Sequence, residues 1–186
     1  MNIGFAMCGS LCTLDTVFNT MEQLATKHTL IPILSEAVGR IDSRFGTARE
    51  HVERITKVCG RAPLQSIAQV EPIGPKKLLD ALVIAPCTGN TLAKLSHSIA
   101  DGPVTMAAKS HLRNGRPILV AISTNDALAG AAENIGRLLS RKHYYFVPFG
   151  QDDPEKKPTS IVADFELLLP ALEAALEGRQ LQPLLL

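Results

Sequence analysis

The stretch Asp80-Ala81-Leu82-Val83-Ile84-Ala85-Pro86-Cys87-Thr88-Gly89-Asn90-Thr91 constrains this chain more than any other. Leu82 to Ala85 is an unbroken apolar run, which suits a strand covered on both faces, and Pro86 is expected to end its ladder because it has no N–H to donate. Thr88 to Thr91 then open a helix. A polar crevice is expected at the strand's carboxyl end, with hydroxyls, an amide and the orphan N–H groups of a helix N-terminus, where an anion such as phosphate is favoured. Taken locally, the same residues also fit an ordinary capped strand–helix junction.

Strand–loop–helix units recur on both sides of this stretch. Ile3 to Met7 is an apolar run followed by Cys8-Gly9-Ser10 and by a helical pattern over residues 11–27, with Leu14, Val17, Phe18, Met21 and Leu24 on one face. No GxGxxG stands at that turn, so the dinucleotide fingerprint is missing there. Residues 29–34 read as a second strand in which Pro32 requires an irregular or edge position. A long loop is expected from Ser35 onward, carrying Arg40 and Arg44, whose guanidinium forks match carboxylates but equally suit solvated surface charges.

Further along, residues 47–59 read as a helix stopped by Gly60, and residues 63–70 as a turn or short helix. Leu92, Leu95 and Ile99 mark the helix after Thr91, and residues 104–112 another. Residues 118–122 form a second continuous apolar strand, again followed by polar Ser123-Thr124-Asn125-Asp126. A helix over 127–141, a strand over 144–149, a polar loop over 150–158 and an amphipathic helix over 160–176, kinked at Pro170 or split there, complete the pattern. The tail Leu184-Leu185-Leu186 either packs on a neighbour or frays.

Strands alternating with helices imply an α/β, doubly wound, mainly parallel sheet with helices on both faces, built as a single domain over residues 1–186. Ligands in such sheets lie beyond the strand carboxyl ends, where the loops at Ser10, Ser35, Thr88 and Ser123 open. The length fits one domain with a sizeable core. A formal net charge of +1 with no basic stripe argues against nucleic acid. No apolar run approaches the roughly 20 residues that cross a bilayer. Met1-Asn2-Ile3-Gly4-Phe5 lacks the basic start of a signal peptide, so a cytoplasmic protein is expected. Cys8, Cys12, Cys59 and Cys87 show no CxxC and no metal-ligand spacing with His, so free thiols and no metal are expected.

Gly9-Ser10 after the first strand, with Ala85-Pro86-Cys87-Thr88-Gly89-Asn90-Thr91 and Lys94, resembles the homo-oligomeric flavin-containing Cys decarboxylase superfamily, whose pattern is a glycine–serine loop followed by APxTxNT. That resemblance implies a flavoprotein Rossmann-like fold binding FMN, in a trimer or larger homo-oligomer. Carried over, it implies a cofactor site made by Gly9, Ser10, Ser35, Pro86, Thr88, Asn90, Thr91 and Ser123. Arg44-Phe45-Gly46, Glu71-Pro72-Ile73-Gly74-Pro75, Leu112-Arg113-Asn114-Gly115 and Tyr145 to Pro154 are similar, more closely, to the B chains of dipicolinate synthases. This implies a part in oxidising dihydrodipicolinate to pyridine-2,6-dicarboxylate during sporulation, beside an A chain that binds NAD(P).

Two departures from the decarboxylases stand out. Residues 71–77 lack their upstream His, and Ser123-Thr124-Asn125-Asp126 replaces their PxMN loop. Both speak against the alternative of an FMN-dependent decarboxylase acting alone, and leave a non-catalytic assembly protein with a vestigial FMN site as the other alternative. Arg40 or Arg44 is expected to hold a substrate carboxylate. Lys94, one helical turn after Asn90, faces the same way. No catalytic base emerges, since His97, His111 and His143 all suit packing or surface roles.

Overall fold

The computed structural model describes residues 1–186. Strand β3 (Ala81–Cys87) is buried at every position and lies between β1 (Asn2–Met7) and β4 (Ile118–Thr124), both parallel to it. Parallel strands buried on both faces need apolar runs rather than alternation, which is what these segments carry. β2 (Thr29–Leu34) pairs outside β1, and β5 (Tyr144–Phe146) pairs outside β4. The parallel order is therefore β2-β1-β3-β4-β5. The chain passes from β1 outward to β2 and returns across β1 to β3, so the direction of winding reverses between β1 and β3.

Helices α1 (Leu14–Ala25) and α8 (Leu168–Leu176) pack against each other. A second group is α5 (Gly89–Ser96), α6 (Pro103–Leu112) and α7 (Ala132–Leu139). Together they cover both faces of the sheet. The helices between β2 and β3 are α2 (Glu36–Arg40), α3 (Ala48–Cys59) and α4 (Ile67–Val70). α3 starts where expected: the Thr47 hydroxyl accepts from Glu50 N, the Glu50 carboxylate accepts from Thr47 N, and Gly60 ends the helix at φ +64°. Pro32 is tolerated because β2 is an edge strand, met on its outer side only by the segment at Leu64.

Several expectations are corrected. β3 does not stop at Pro86 but runs through Cys87, with an irregular register against β4 between Ile84 and Cys87 that accommodates the missing donor. The loop after Ser35 contains α2, with Arg40 as its last residue. The segment expected as one strand over 144–149 breaks at Val147-Pro148 into β5 and β6 (Phe149–Gly150). The helix expected over 160–176 instead begins with β7 (Ile161–Ala163), which pairs antiparallel with the end of β4, Ser123 opposite Val162 and Thr124 opposite Ile161. α8 starts only at Leu168, so Pro170 lies in its first turn, where the absent N–H has no intrahelical partner to lose. α5 ends at Ser96 and leaves Ile99 exposed, α7 starts at Ala132 rather than 127, and the first three residues of the 11–27 pattern form a 3-10 turn. The tail does not fray: Phe149 N donates to Leu184 O at 3.0 Å and Leu186 N to Phe149 O at 3.1 Å, while the Leu185 and Leu186 side chains stay exposed.

His111, fully buried in the last turn of α6, donates from Nε2 to Pro117 O at 3.1 Å, while its Nδ1 is buried without a partner. Burial dominates and pushes its pKa down from 6.5 to about 4, against the opposing pull of the Pro117 carbonyl. The unfolded chain thus binds a proton that the folded one refuses, so stability is complete above pH 6.5 and falls as the pH drops towards 4. Denaturant unfolding should show the protein losing roughly 3 kcal/mol more between pH 7 and pH 4 than its His111→Gln variant, which keeps a donor for Pro117. Equal losses would contradict this assignment.

Candidate functional site

Because winding reverses between β1 and β3, the loops after those strands diverge and leave a crevice at their carboxyl ends. The two loops are tied at the base: Cys8 N donates to Pro86 O at 3.2 Å, and Thr91 Oγ1 donates to Cys8 Sγ at 3.3 Å. Burial pushes the Cys8 thiol up to about 11 and raises Cys87 well above its ordinary value, so both are neutral packing groups. Thr88 is the N-cap of α5, its hydroxyl accepting from Thr91 N at 3.3 Å.

The crevice has two lobes that share Gly9, Thr88 and Asn90. The first, about 590 Å³, is lined also by Ser35, Thr91, Arg40 and Lys94. The Ser35 hydroxyl is buried here with no protein partner. A side chain at Gly9 would place its Cβ 2.8 Å from the Ala37 Cβ, so only glycine lets the β1 loop approach α2 this closely. The second lobe, about 860 Å³, is lined by Ser10, Thr13, Arg44, Ser123, Asp126 and Lys157, among others. Ser123 is buried, and its hydroxyl joins Ser10 Oγ at 2.7 Å and Thr13 Oγ1 at 3.4 Å.

Of the residues expected at the site, all but Pro86 line one lobe or both. Pro86 is buried within β3 behind the crevice, where it contributes its carbonyl to the β1 loop. Arg40 and Arg44 part company. Arg40 faces the first lobe and pairs with Glu36 at 3.2 Å. Arg44 faces the second lobe, lies 4.8 Å from the Phe45 ring centroid and pairs with no carboxylate. Lys94 is held by Asp101 at 2.9 Å, a bond that also holds the Asp101 carboxyl below its usual range. No histidine lines either lobe, and no group of three or more His, Cys, Asp or Glu is placed to hold a metal.

Sequence reasoning missed Asp152, Lys157 and Ser160, which reach the second lobe because β7 pairs with the end of β4 and β6 with β7. Ser160 and Lys157 hold the Asp152 carboxyl below its ordinary value, and Lys157 sits 2.9 Å from it. Their distance along the chain left no local signal. Gly89 was a signal passed over: a Cβ there would lie 2.7 Å from Asp126 Oδ1 and 3.0 Å from Thr124 Oγ1, so the loop after β4 rests directly on the first turn of α5.

A doubly wound sheet with a polar, two-lobed crevice at its switch point, floored by a capped helix N-terminus, defines the class of Rossmann-like α/β proteins. The flavoprotein family model matches residues 1–157. The chain is 46% identical over 184 residues to the B subunit of dipicolinate synthase from Bacillus subtilis (strain 168), covering 98% of this chain and 92% of that one. The crystal structure of the corresponding B subunit of dipicolinate synthase from Bacillus halodurans superposes with a TM-score of 0.91 at 44% identity, covering 100% of this chain and 95% of that one. DmrB of Burkholderia xenovorans, a cubic protein cage for redox transfer solved in complex with FMN, shares the fold at a TM-score of 0.70 and 20% identity, over 95% of each chain. The chain belongs to the flavoprotein family, and within it to the dipicolinate synthase B subunits.

The capped junction can be tested without any ligand. Thr88→Ala should cost about 1 kcal/mol of unfolding free energy in a denaturant titration, and Thr88→Ser should recover most of it. No loss in Thr88→Ala would show that the Thr88 hydroxyl does not stabilise the start of α5.

Proposed function

We propose that this chain, as one domain, binds FMN in the two-lobed crevice and serves as the B component of a two-chain oxidoreductase. In this reading the pair converts dihydrodipicolinate to pyridine-2,6-dicarboxylate in the cytoplasm during sporulation, with NAD(P) carried by a separate A chain and the B chain assembled as a homo-oligomer of three or more copies. The observation that carries the cofactor reading is the first lobe: the unpartnered Ser35 hydroxyl, the glycine-only approach at Gly9 and the start of α5 converge where a phosphate needs donors. Gly9, Ser35, Thr88 and Thr91 would hold the phosphate end. Asn90, Ser10 and Ser123 would hold the ribityl chain and ring across the shared wall. A flavin bound there supplies a two-electron acceptor, and the protein supplies its orientation.

Arg44 is the substrate anchor in this reading. Arg40 already has a carboxylate, whereas Arg44 offers a free planar fork to an incoming one. The absence of any histidine from the crevice supports oxidation in place of the decarboxylation that the related pattern implies.

Titration of the purified chain with FMN, read by flavin absorbance and fluorescence, should show saturable binding. Gly9→Ala should weaken it by roughly tenfold or more, since accommodating an extra methyl against Ala37 costs about 1–3 kcal/mol. No uptake of FMN by the unmodified chain would remove the cofactor, and turnover of dihydrodipicolinate without an A chain would remove the two-chain scheme.

A further inference from the structure

The charges of the crevice are almost entirely matched within it. Its carboxylates are Glu36, Asp101, Asp126 and Asp152, and its cations are Arg40, Lys94, Arg44 and Lys157. Glu36 pairs with Arg40, Asp101 with Lys94 and Asp152 with Lys157. One carboxylate, Asp126, and one cation, Arg44, are left over. They line the same lobe and do not pair with each other.

Asp126 is held as a working group would be. Thr124 Oγ1 donates to its Oδ1 at 2.5 Å, while Oδ2 accepts from no protein donor. The carboxylate rests against Gly89, where any side chain would displace it. Carboxylates are favoured at such a helix start, so Asp126 stays in place without a cation. No imidazole reaches either lobe to compete for a proton.

We infer that Asp126 is the proton acceptor of the oxidation, working on a substrate whose carboxylate is held by Arg44. This rests on the function proposed above. In the step, one ring C–H of the dihydropyridine breaks with its electron pair leaving as hydride to an oxidised flavin or nicotinamide. A second ring C–H breaks with its pair remaining as the new ring double bond, and the proton forms an O–H bond on Asp126 before passing to water. A ring about to become aromatic surrenders that proton readily, so a positioned carboxylate is a sufficient base.

The test compares the unmodified chain, Asp126→Asn and Arg44→Ala, each reconstituted with the A chain and assayed with dihydrodipicolinate. Binding of pyridine-2,6-dicarboxylate to each B chain is measured alongside by calorimetry. Asparagine keeps the acceptor for Thr124 and the shape beside Gly89. Asp126→Asn should lower kcat by roughly 100- to 10,000-fold with KM within about threefold, and should bind the dicarboxylate at least as well as the unmodified chain, because one like charge is gone. Arg44→Ala should instead weaken dicarboxylate binding, by roughly tenfold or more. A kcat for Asp126→Asn within about threefold of the unmodified complex overturns the inference alone, as does loss of dicarboxylate binding in that variant, which would mark a merely structural role. No turnover by the unmodified complex overturns the proposed function and this inference with it.

Discussion

The pairing of β1 with β3 is the constraint on which the rest depends. These two strands are adjacent in the sheet but far apart in the chain, so the connections that leave their carboxyl ends run in different directions. The bond from Cys8 to the Pro86 carbonyl holds the two loops together at the base while they diverge above it. The wall that the two lobes share is mounted on that divergence. Gly9 lies on one loop, Thr88 and Asn90 on the other, and all three face both lobes. A buried apolar strand thus has a functional consequence: its rigidity aims the first turn of α5 into the crevice.

The two lobes differ in charge more than in size. In the first, both cations are paired with carboxylates of the same lobe, leaving the Ser35 hydroxyl, the Asn90 amide and helix N–H groups as its free donors. In the second, Lys157 is neutralised but Arg44 and Asp126 are not. Neutral donors at a helix start suit a phosphate, and an unpaired guanidinium sharing a lobe with an unpaired carboxylate suits a carboxylated substrate that must give up a proton. This division of chemistry supports placing cofactor phosphate and substrate in different lobes of one crevice.

Much of the architecture was legible because it is written locally. Apolar runs at β1, β3 and β4, the helical pattern over 47–59 and the stop at Gly60 all depend on neighbours within a few residues. The site loops after β1 and β3 were legible for the same reason. What escaped depends on distant partners. Ile161–Ala163 is only three residues long and becomes a strand because the end of β4 offers it an antiparallel edge; its own sequence carries no period to announce this. Asp152 and Lys157 enter the site through that pairing, and the separation of Arg40 from Arg44 follows from α2, a helix too short to be read from periodicity. Asp126 could not be singled out within a polar loop, because its lack of a cation shows only once the other three carboxylates of the crevice are seen with their partners.

A crystal structure of the chain grown with FMN and pyridine-2,6-dicarboxylate tests the division between the two lobes most directly. The FMN phosphate should lie in the first lobe within hydrogen-bond reach of Ser35 Oγ, and a ligand carboxylate should lie on the Arg44 guanidinium in the second. A phosphate bound at Arg44, or a dicarboxylate seated among Ser35, Thr88 and Thr91, would contradict that division.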